Sequence, residues 1–365
     1  SSDVCSSDLL QIFCIFLYYT KNRAICYRKL SKMLFILFHI IIPENSIKIT
    51  AQNRYDSISF RQNRKKGVTG MGENKMKSKQ GRENFIFVFP ALILVAVVFY
   101  IPFFMSGYYS LTKWDGIAKK PEFIGFDNFI QIFTADKTFL NAMLFTGKYM
   151  IFFVVIVNVL GLLLAVMLVK RLKTANLLRA VFFVPYIMSM IIVGFIWKFI
   201  FLQGFNTLGE ITGWGIFRLS WLGDEKLAFV SILIVSIWQA VGFYMVLYIA
   251  GLQAIPEDVL EAAVVDGASG TAKFFRITLP LLGGTVTTCI FMALTNAIKI
   301  FDIILALTAG GPGGSTYSAT LDVYREAFQN NNFGLGSAKA LILFVTVMLL
   351  TNVVLKLLQS REVEL

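Results

Sequence analysis

Long runs of apolar residues alternate with short polar stretches from about residue 85 to the end of the chain. A helix needs about 20 apolar residues to cross a hydrocarbon layer about 30 Å thick, because it rises about 1.5 Å per residue. Six runs reach that length, so the pattern predicts an all-α membrane protein with six transmembrane helices. Their predicted bounds are 85–111, 141–169, 177–202, 227–250, 279–307 and 338–358.

Residues 1–70 do not follow this pattern. Their apolar runs, 9–19 and 33–42, are too short to cross a bilayer, and 48–70 is polar and basic without periodicity. We expect this segment to be a leader that is spurious or disordered, with Met71 or Met76 as the natural start. A signal peptide is the alternative for part of it.

The distribution of basic residues predicts the topology. Lys and Arg concentrate in cytoplasmic loops, and they cluster before the first predicted span and after the second, whereas Lys339 counts with the external charges. Both chain ends are therefore predicted in the cytoplasm of a multi-pass membrane protein. The expected organisation is a cytoplasmic tail at 71–84, a transmembrane domain at 85–358 that includes a cytoplasmic loop at 251–278, and a cytoplasmic tail at 359–365.

Composition supports the membrane class. Hydrophobic residues make up 56% of the chain, charged residues 15%, and the mean hydropathy is +0.69. Soluble domains are nearer one-quarter charged. Most of the net charge of +12 lies in the leader, where Lys and Arg outnumber Asp and Glu. We interpret the basic excess as contact with the anionic head groups of the lipid bilayer, with no nucleic-acid partner.

Residues suited to catalysis or metal binding are scarce. The histidine, His39, and three of the four cysteines lie in the leader, which leaves Cys289 in the body of the chain. Such a body offers little for a zinc site or a histidine-based triad. The chain also has no P-loop pattern and should not hydrolyse ATP itself. We expect no enzyme activity, no metal and no cofactor.

Several polar residues fall inside predicted spans, where unpaired polar groups are costly. Asn296 and Lys299 share a helix face, and Asp302 is expected to continue that face by another turn. The face predicts a solute pathway, and the alternative is hydrogen bonding between helices. Tyr244 is an aromatic candidate for stacking on a solute ring, with packing as its alternative. The pathway candidates are Asn158, Gln239, Tyr244, Asn296, Lys299 and Asp302.

The polar segment between the fourth and fifth spans has its own helical pattern. Pro256, Glu257 and Asp258 suit the first turn of a helix, because Pro favours that position and carboxylates interact with the positive end of the helix dipole. Gly267 is placed to end that helix, and Ser269 to cap a second one. The pattern predicts a helix-turn-helix on the membrane surface, exposed to a soluble partner.

The same segment resembles a known motif. Glu261, Ala262 and Ala263 are followed by Asp266 and Gly267 and then, after nine residues, by Ile277, Leu279 and Pro280. This spacing resembles the EAA loop of ABC importer permeases. The resemblance implies the type I permease fold. It also implies that these eight residues dock the loop into a cleft on an ATPase subunit, with Glu261 making a polar contact and Gly267 allowing the turn.

A second stretch narrows the resemblance. Phe301–Asp302, Thr308 to Pro312, Thr316, Tyr324 and Gly336 look like the corresponding stretch of sugar permeases in the maltose and glycerol-phosphate group. The resemblance implies a permease subunit of an ATP-driven sugar importer in a bacterial inner membrane. Its implied partners are a second permease in a heterodimer, two ABC ATPase subunits and an extracytoplasmic solute-binding protein.

Two other classes of protein remain as alternatives. An ion-coupled secondary transporter of a small polar solute could use Asp302 or Lys299 as its ion site. A membrane-embedded enzyme is disfavoured by the lack of histidine and of paired intramembrane carboxylates. The sequence leaves the sugar open among mono-, di- and oligosaccharides and glycerol phosphate.

Overall fold

The structure is a computed structural model that describes residues 89–169 and 174–360. The chain divides into two units, Ser1–Pro90 and Ala91–Leu365, and the account below concerns the second, together with the residues that begin its first helix. The predicted leader at 1–70 and the predicted tail at 71–84 lie outside the described residues, as does 361–365.

The described part of the chain is helical apart from a two-stranded antiparallel sheet that pairs β1 (Thr112–Lys113) with β2 (Glu122–Phe123). Short 3₁₀ turns occupy Gly215–Arg218 and Pro312–Gly314. The helices are α1 (Phe89–Tyr109), α2 (Asp127–Thr134), α3 (Lys137–Val169), α4 (Ala175–Ile187), α5 (Met190–Thr212), α6 (Glu225–Ala254), α7 (Glu257–Val265), α8 (Gly270–Leu281), α9 (Gly283–Ile298), α10 (Asp302–Leu307), α11 (Ala319–Tyr324) and α12 (Phe333–Gln359).

Five of the described helices are long and apolar enough to cross a membrane: α1, α3, α5, α6 and α12. The bent pair of α8 and α9, whose axes differ by 68°, makes a sixth span if it is counted as one. The bend lies at Leu282, which is followed by Gly283 and Gly284.

Helix α6 is the centre of the bundle. It packs against α3, α4, α5, α9 and α10. In its most apolar stretch 61% of the residues are buried, whereas the corresponding stretches of α1 and α12 have no buried residue. Its start is capped by Asp224, whose carboxylate accepts hydrogen bonds from the backbone N–H groups of Lys226 and Leu227 at 2.9 and 3.0 Å. These donors have no partner within the helix, so the cap stabilises its first turn.

Close packing at the centre requires glycine at one crossing. Gly242 of α6 lies against the backbone of α4, where a Cβ atom would overlap the carbonyl oxygen of Phe182. Small residues at such crossings let helix backbones approach closely in membranes. The two helices therefore meet through their backbones, without side chains between them.

The structure corrects two of the predicted spans. The third, at 177–202, is not one helix, because the chain leaves helical geometry at Met188 and Ser189, shortly after Pro185. A proline inside a helix removes one backbone hydrogen bond and weakens the turn around it. The fifth, at 279–307, is also interrupted: α9 ends at Ile298 and α10 begins at Asp302. Asp302 therefore does not continue the helical face of Asn296 and Lys299.

Candidate functional site

The segment with the EAA-like spacing forms the predicted helix-turn-helix. Helix α7 follows Pro256, which is the N-cap and not the first helical residue, and it carries Glu257 and Asp258 in its first turn. Ser269 caps α8 by accepting a hydrogen bond from the backbone N–H of Ala272 at 3.3 Å. Helices α7 and α8 contact each other. The segment is thus a packed unit that can move as one piece.

Gly267 makes the turn between the two helices. Its φ of +79° lies in the left-handed region, which glycine enters without the steric cost that a Cβ atom brings. The backbone N–H of Gly267 donates to the carbonyl of Val264, and that of Ala268 to the carbonyl of Ala263, both at 3.0 Å. These two bonds form a Schellman motif, which satisfies carbonyls that the end of α7 leaves open.

The eight residues of the motif divide into two groups. Ala263 is buried, and Ile277 and Leu279 are half-buried, so these three hold the two helices together. Glu261, Ala262, Asp266, Gly267 and Pro280 are exposed. Exposed apolar side chains flank this second group, since Val264, Val265 and Phe275 are 58%, 86% and 60% exposed. The helix-turn-helix of α7 and α8, called the surface knob below, therefore presents carboxylates beside exposed apolar side chains.

Asn158 and Tyr248 form a polar pair inside the bundle. The Tyr248 hydroxyl donates to Asn158 Oδ1 at 2.7 Å, and Asn158 Nδ2 donates to the carbonyl of Val154 at 2.7 Å. Helices α3 and α6 are therefore joined by a hydrogen bond. Asn158 thus takes part in a hydrogen bond between helices, and its place on a solute pathway stays a prediction.

Gln239 supports the break between α4 and α5. Its Nε2 donates to the carbonyl oxygen of Met188 at 3.0 Å, and its side chain is buried. The break frees backbone groups that need partners in an apolar environment. Gln239 supplies one of them, so its amide allows the bundle to contain a broken helix.

Tyr244 and Asn296 lie together. The Tyr244 hydroxyl is buried and has no hydrogen-bond partner among the described residues. The side chain of Asn296 faces this hydroxyl without the geometry of a formed hydrogen bond. Asn296 and Lys299 are both exposed, and Lys299 caps the end of α9. The structure thus places Tyr244 beside Asn296 near the end of α9, where Lys299 follows in the chain, and Asp302 begins the next helix.

A buried charge cluster forms a site that the sequence did not predict. Lys339 of α12 is 1% exposed, and its ammonium group lies 2.7, 2.8 and 3.0 Å from carboxylate oxygens of Asp136, Asp322 and Glu326. An ammonium group has three donors, so each carboxylate receives one. Two features of the sequence could have indicated this cluster. Lys339 lies within an apolar run, and Asp322 and Glu326 are four residues apart and so share a helix face.

The carboxyl groups of the cluster differ in acidity. Burial disfavours ionisation of Asp136, but hydrogen bonds from Lys339 and from the Phe139 backbone outweigh burial and hold its pKa below the usual range. Burial dominates at Asp322 and raises its pKa in spite of the contact with Lys339. Within 89–169 and 174–360, no group of three or more His, Cys, Asp or Glu is arranged to bind a metal ion.

Comparisons with known proteins agree on one family. The family model described as binding-protein-dependent transport system inner membrane component matches residues 157–363. A probable starch degradation products transport system permease of Thermoanaerobacterium thermosulfurigenes is 38% identical over 79% of this chain and 97% of its own length. A multiple sugar-binding transport system permease of Streptococcus mutans is 36% identical over 76% and 95%.

A more distant sequence and a solved structure extend this similarity. A trehalose/maltose transport system permease of Thermococcus litoralis is 32% identical over 79% of this chain and 98% of its own length. The crystal structure of a bacterial ABC transporter that imports the acidic polysaccharide alginate contains a chain with a TM-score of 0.68 and 21% identity. The match covers 79% of this chain and 99% of that one. At this identity the structural match supports the fold.

Proposed function

This chain belongs to the family of binding-protein-dependent transport system inner membrane components, and from that membership we propose that it is a permease subunit of an ATP-driven sugar importer. It is a membrane-spanning transport subunit and not an enzyme. The observation that carries the substrate class is the set of relatives above, whose names specify starch degradation products, multiple sugars and trehalose or maltose.

The surface knob of α7 and α8 is assigned to coupling. ATP hydrolysis must come from another chain, since this one has no P-loop. An exposed patch that combines Glu261 and Asp266 with Val264 and Val265 suits a soluble protein partner, because interface cores are apolar and their rims polar. Two ATPase subunits would bind the knobs of this chain and of a second permease. Their ATP-driven closure would then move both knobs.

The solute pathway is assigned to the group around Tyr244, Asn296 and Lys299. An amide, an ammonium group and a buried hydroxyl without a partner offer donors and acceptors to sugar hydroxyls. Asp302 lies next to this group in the chain and is kept as a candidate. Asn158 and Gln239 hydrogen-bond within the protein, so we assign them to positioning α3, α4 and α6 around the pathway.

The complete importer contains further chains in this proposal. An extracytoplasmic binding protein delivers the sugar to the face opposite the knob, and a heterodimeric second permease completes the pathway. Both chain ends and the knob lie in the cytoplasm of a bacterial cell, and the chain crosses the inner membrane six times. The bent pair of α8 and α9 supplies the fifth of these spans.

Co-purification tests the assembly directly. The full chain is tagged, expressed in its own cells and extracted in mild detergent, and the associated proteins are identified by mass spectrometry. We expect a second permease with the EAA-like spacing and a P-loop ATPase. Recovery of the chain alone, still active in transport after reconstitution without ATP, would contradict the proposal and favour an ion-coupled transporter.

A further inference from the structure

A long apolar groove runs between α3 and α6, with a volume of about 1100 Å³. On the α6 side it is lined by apolar residues that include Phe229 and Leu233. Besides Phe145, the α3 side contributes one residue from each turn, since residues four apart share a helix face. These residues are Leu144, Lys148, Phe152, Ile156, Leu160 and Leu164.

The groove is polar at one end only. Lys148 Nζ lies 4.6 Å from the centroid of the Phe229 ring. Phe229 is one turn after Glu225 and Lys226 in α6, and both of these residues also line the groove. Ser315 completes this end, and its buried hydroxyl has no hydrogen-bond partner among the described residues. Two ammonium groups, a carboxylate and an unsatisfied hydroxyl therefore lie together, on the side of the membrane opposite the surface knob.

The position of Lys148 along α3 matches a membrane interface. From Lys148 to the end of α3 at Val169 there are about 21 residues, or about 31 Å at the rise of an α-helix, and a hydrocarbon layer is about 30 Å thick. Lys148 is thus placed at the boundary between hydrocarbon and head groups, where long basic side chains extend their charge towards the interface. The polar end of the groove lies at the level of the lipid phosphates.

We propose that this groove binds a single phospholipid with an amine-bearing head group, of the phosphatidylethanolamine class. The lipid phosphate accepts hydrogen bonds from Lys148, Lys226 and Ser315, its ammonium group pairs with Glu225, and an acyl chain lies along Phe152 and Ile156, since one phospholipid spans one leaflet of the bilayer. A transmembrane helix of another subunit would also be polar at its ends, but the two ammonium groups and the carboxylate at one end of the groove match the phosphate and the amine of this head group. The inference rests on the chain spanning a membrane and not on the transport of sugar.

Lipid retention tests the polar end. The full chain is reconstituted in vesicles of phosphatidylethanolamine and phosphatidylglycerol in equal amounts, re-extracted in mild detergent, and its bound lipids are counted by native mass spectrometry. We expect one retained phosphatidylethanolamine per chain. The Lys148→Gln variant should retain about tenfold less, as loss of a charge-assisted hydrogen bond predicts. Lys198→Gln is the control, since Lys198 lies in α5 away from the groove.

A second pair of variants tests the apolar part without touching a charge. Ile156→Trp fills the groove and should abolish retention, whereas Val155→Trp places the same side chain on a neighbouring, 57% exposed position outside the groove. Equal retention by both would overturn the proposal, as would equal retention of the two lipid classes by the wild type. Elution of each variant as a single symmetric size-exclusion peak shows that it is folded.

A photoreactive residue separates the lipid from a protein occupant. Benzoylphenylalanine at position 152 replaces Phe152, whose side chain lines the groove. Irradiation of the intact complex in native membranes should attach lipid to this chain. Attachment to another subunit would show that a protein helix fills the groove, and it would overturn the proposal while leaving the importer function intact.

Discussion

The ammonium group of Lys339 is matched by more negative charge than it can neutralise. Three carboxylates surround one cation, so the fully ionised cluster has an excess of two negative charges in a buried site. Two further contacts distribute this charge: Asn332 Nδ2 donates to Glu326 Oε1 at 2.8 Å, and the Phe139 ring lies 5.6 Å from the ammonium group. A single charge is costly to bury without partners, so the cluster depends on Lys339.

The Lys339→Met variant should be strongly destabilised. It leaves the buried Asp322 and the half-buried Asp136 and Glu326 without their cation, and removal of one partner from a buried ion pair costs about 3–5 kcal/mol. The measurement is the thermal unfolding midpoint of the purified full chain in detergent. Lys356→Met in the exposed last turn of the same helix is the control and should match the wild type. Equal midpoints for both variants would show that the cluster contributes no stability.

The acidic partners should respond oppositely to pH. The lowered pKa of Asp136 provides stability that is present above its unfolded value of 3.8 and is lost as the pH falls through the folded value. The raised pKa of Asp322 provides stability that is present below 3.8 and is lost as the pH rises through the folded value. At pH 7, Asp136→Asn should therefore lower the unfolding midpoint more than Asp322→Asn does.

The same measurement, repeated as the pH is lowered from 7 towards the unfolded value of 3.8, provides the check on sign. The wild type should gain stability relative to pH 7 as Asp322 binds its proton, and Asp322→Asn should lose that gain. A gain of the same size in Asp322→Asn would assign the pH dependence to other groups.

Among the elements, the surface knob was predicted in detail and the broken third span was not. Gly267 and Ser269 act on residues within five positions of themselves, so their chemistry can be recognised from a short stretch. The break after Pro185 depends on Gln239, which is 51 positions away from Met188 in the chain. No local pattern shows that an amide will be present to satisfy the freed carbonyl. Hydropathy alone therefore predicts one continuous helix there.

Gly242→Ala should destabilise the contact between α4 and α6. The added methyl group would overlap the Phe182 backbone, and extra volume in a packed core costs about 1–3 kcal/mol. Its control is Gly147→Ala in α3, where no atom lies within 4 Å of an added Cβ. Comparison of the two unfolding midpoints in detergent tests the crossing. If Gly242→Ala were no more destabilising than Gly147→Ala, close approach to the Phe182 backbone would not limit this crossing.

Coupling through the knob can be tested at two exposed carboxylates of α7. Glu261→Gln should reduce both ATPase co-purification and uptake, whereas Glu257→Gln, one turn earlier on the same helix, should leave both unchanged. The measurements are the yield of ATPase per tagged chain and the initial rate of uptake. Equal effects of the two variants would remove Glu261 from the docking contact.

The turn itself gives a graded prediction. Gly267→Asp adds a charge and a Cβ atom at a φ of +79°, and the left-handed conformation costs a residue other than glycine about 1–2 kcal/mol. We expect ATP-dependent uptake to be lost in Gly267→Asp and partly kept in Gly267→Asn, because asparagine tolerates this conformation better than most residues and is neutral. Uptake that persists in Gly267→Asp would contradict the coupling assignment.

At the scale of the whole molecule, α6 organises the bundle and also carries the polar residues of its interior. Gln239, Tyr244 and Tyr248 lie on this one helix. Gln239 donates to the break that follows α4, Tyr244 faces α9, and Tyr248 donates to α3. Hydropathy predicted the bounds of α1, α3, α6 and α12 to within about five residues, because a run of apolar residues can be recognised without knowing which helices it packs against. The burial of Lys339 was not predicted, since one of its partners, Asp136, precedes α3 and is far from Lys339 in the chain.

The energy source separates the importer from an ion-coupled transporter. Cells that express the full set of subunits should take up labelled maltose, used as the first probe of a panel of starch-derived sugars. We expect uptake to continue in the presence of a protonophore and to stop when ATP is depleted. The opposite result, with uptake lost on addition of the protonophore while ATP remains high, would assign transport to an ion gradient.

The buried cluster around Lys339 also sets an order of assembly during synthesis. All three of its carboxylates precede it in the chain, at positions 136, 322 and 326. When the ribosome delivers the last helix to the membrane, the acidic groups that neutralise its lysine have therefore already been made. Docking of α12 is then the step that completes the subunit. A chain that stops before residue 339 leaves these three carboxylates without the cation that pairs with them.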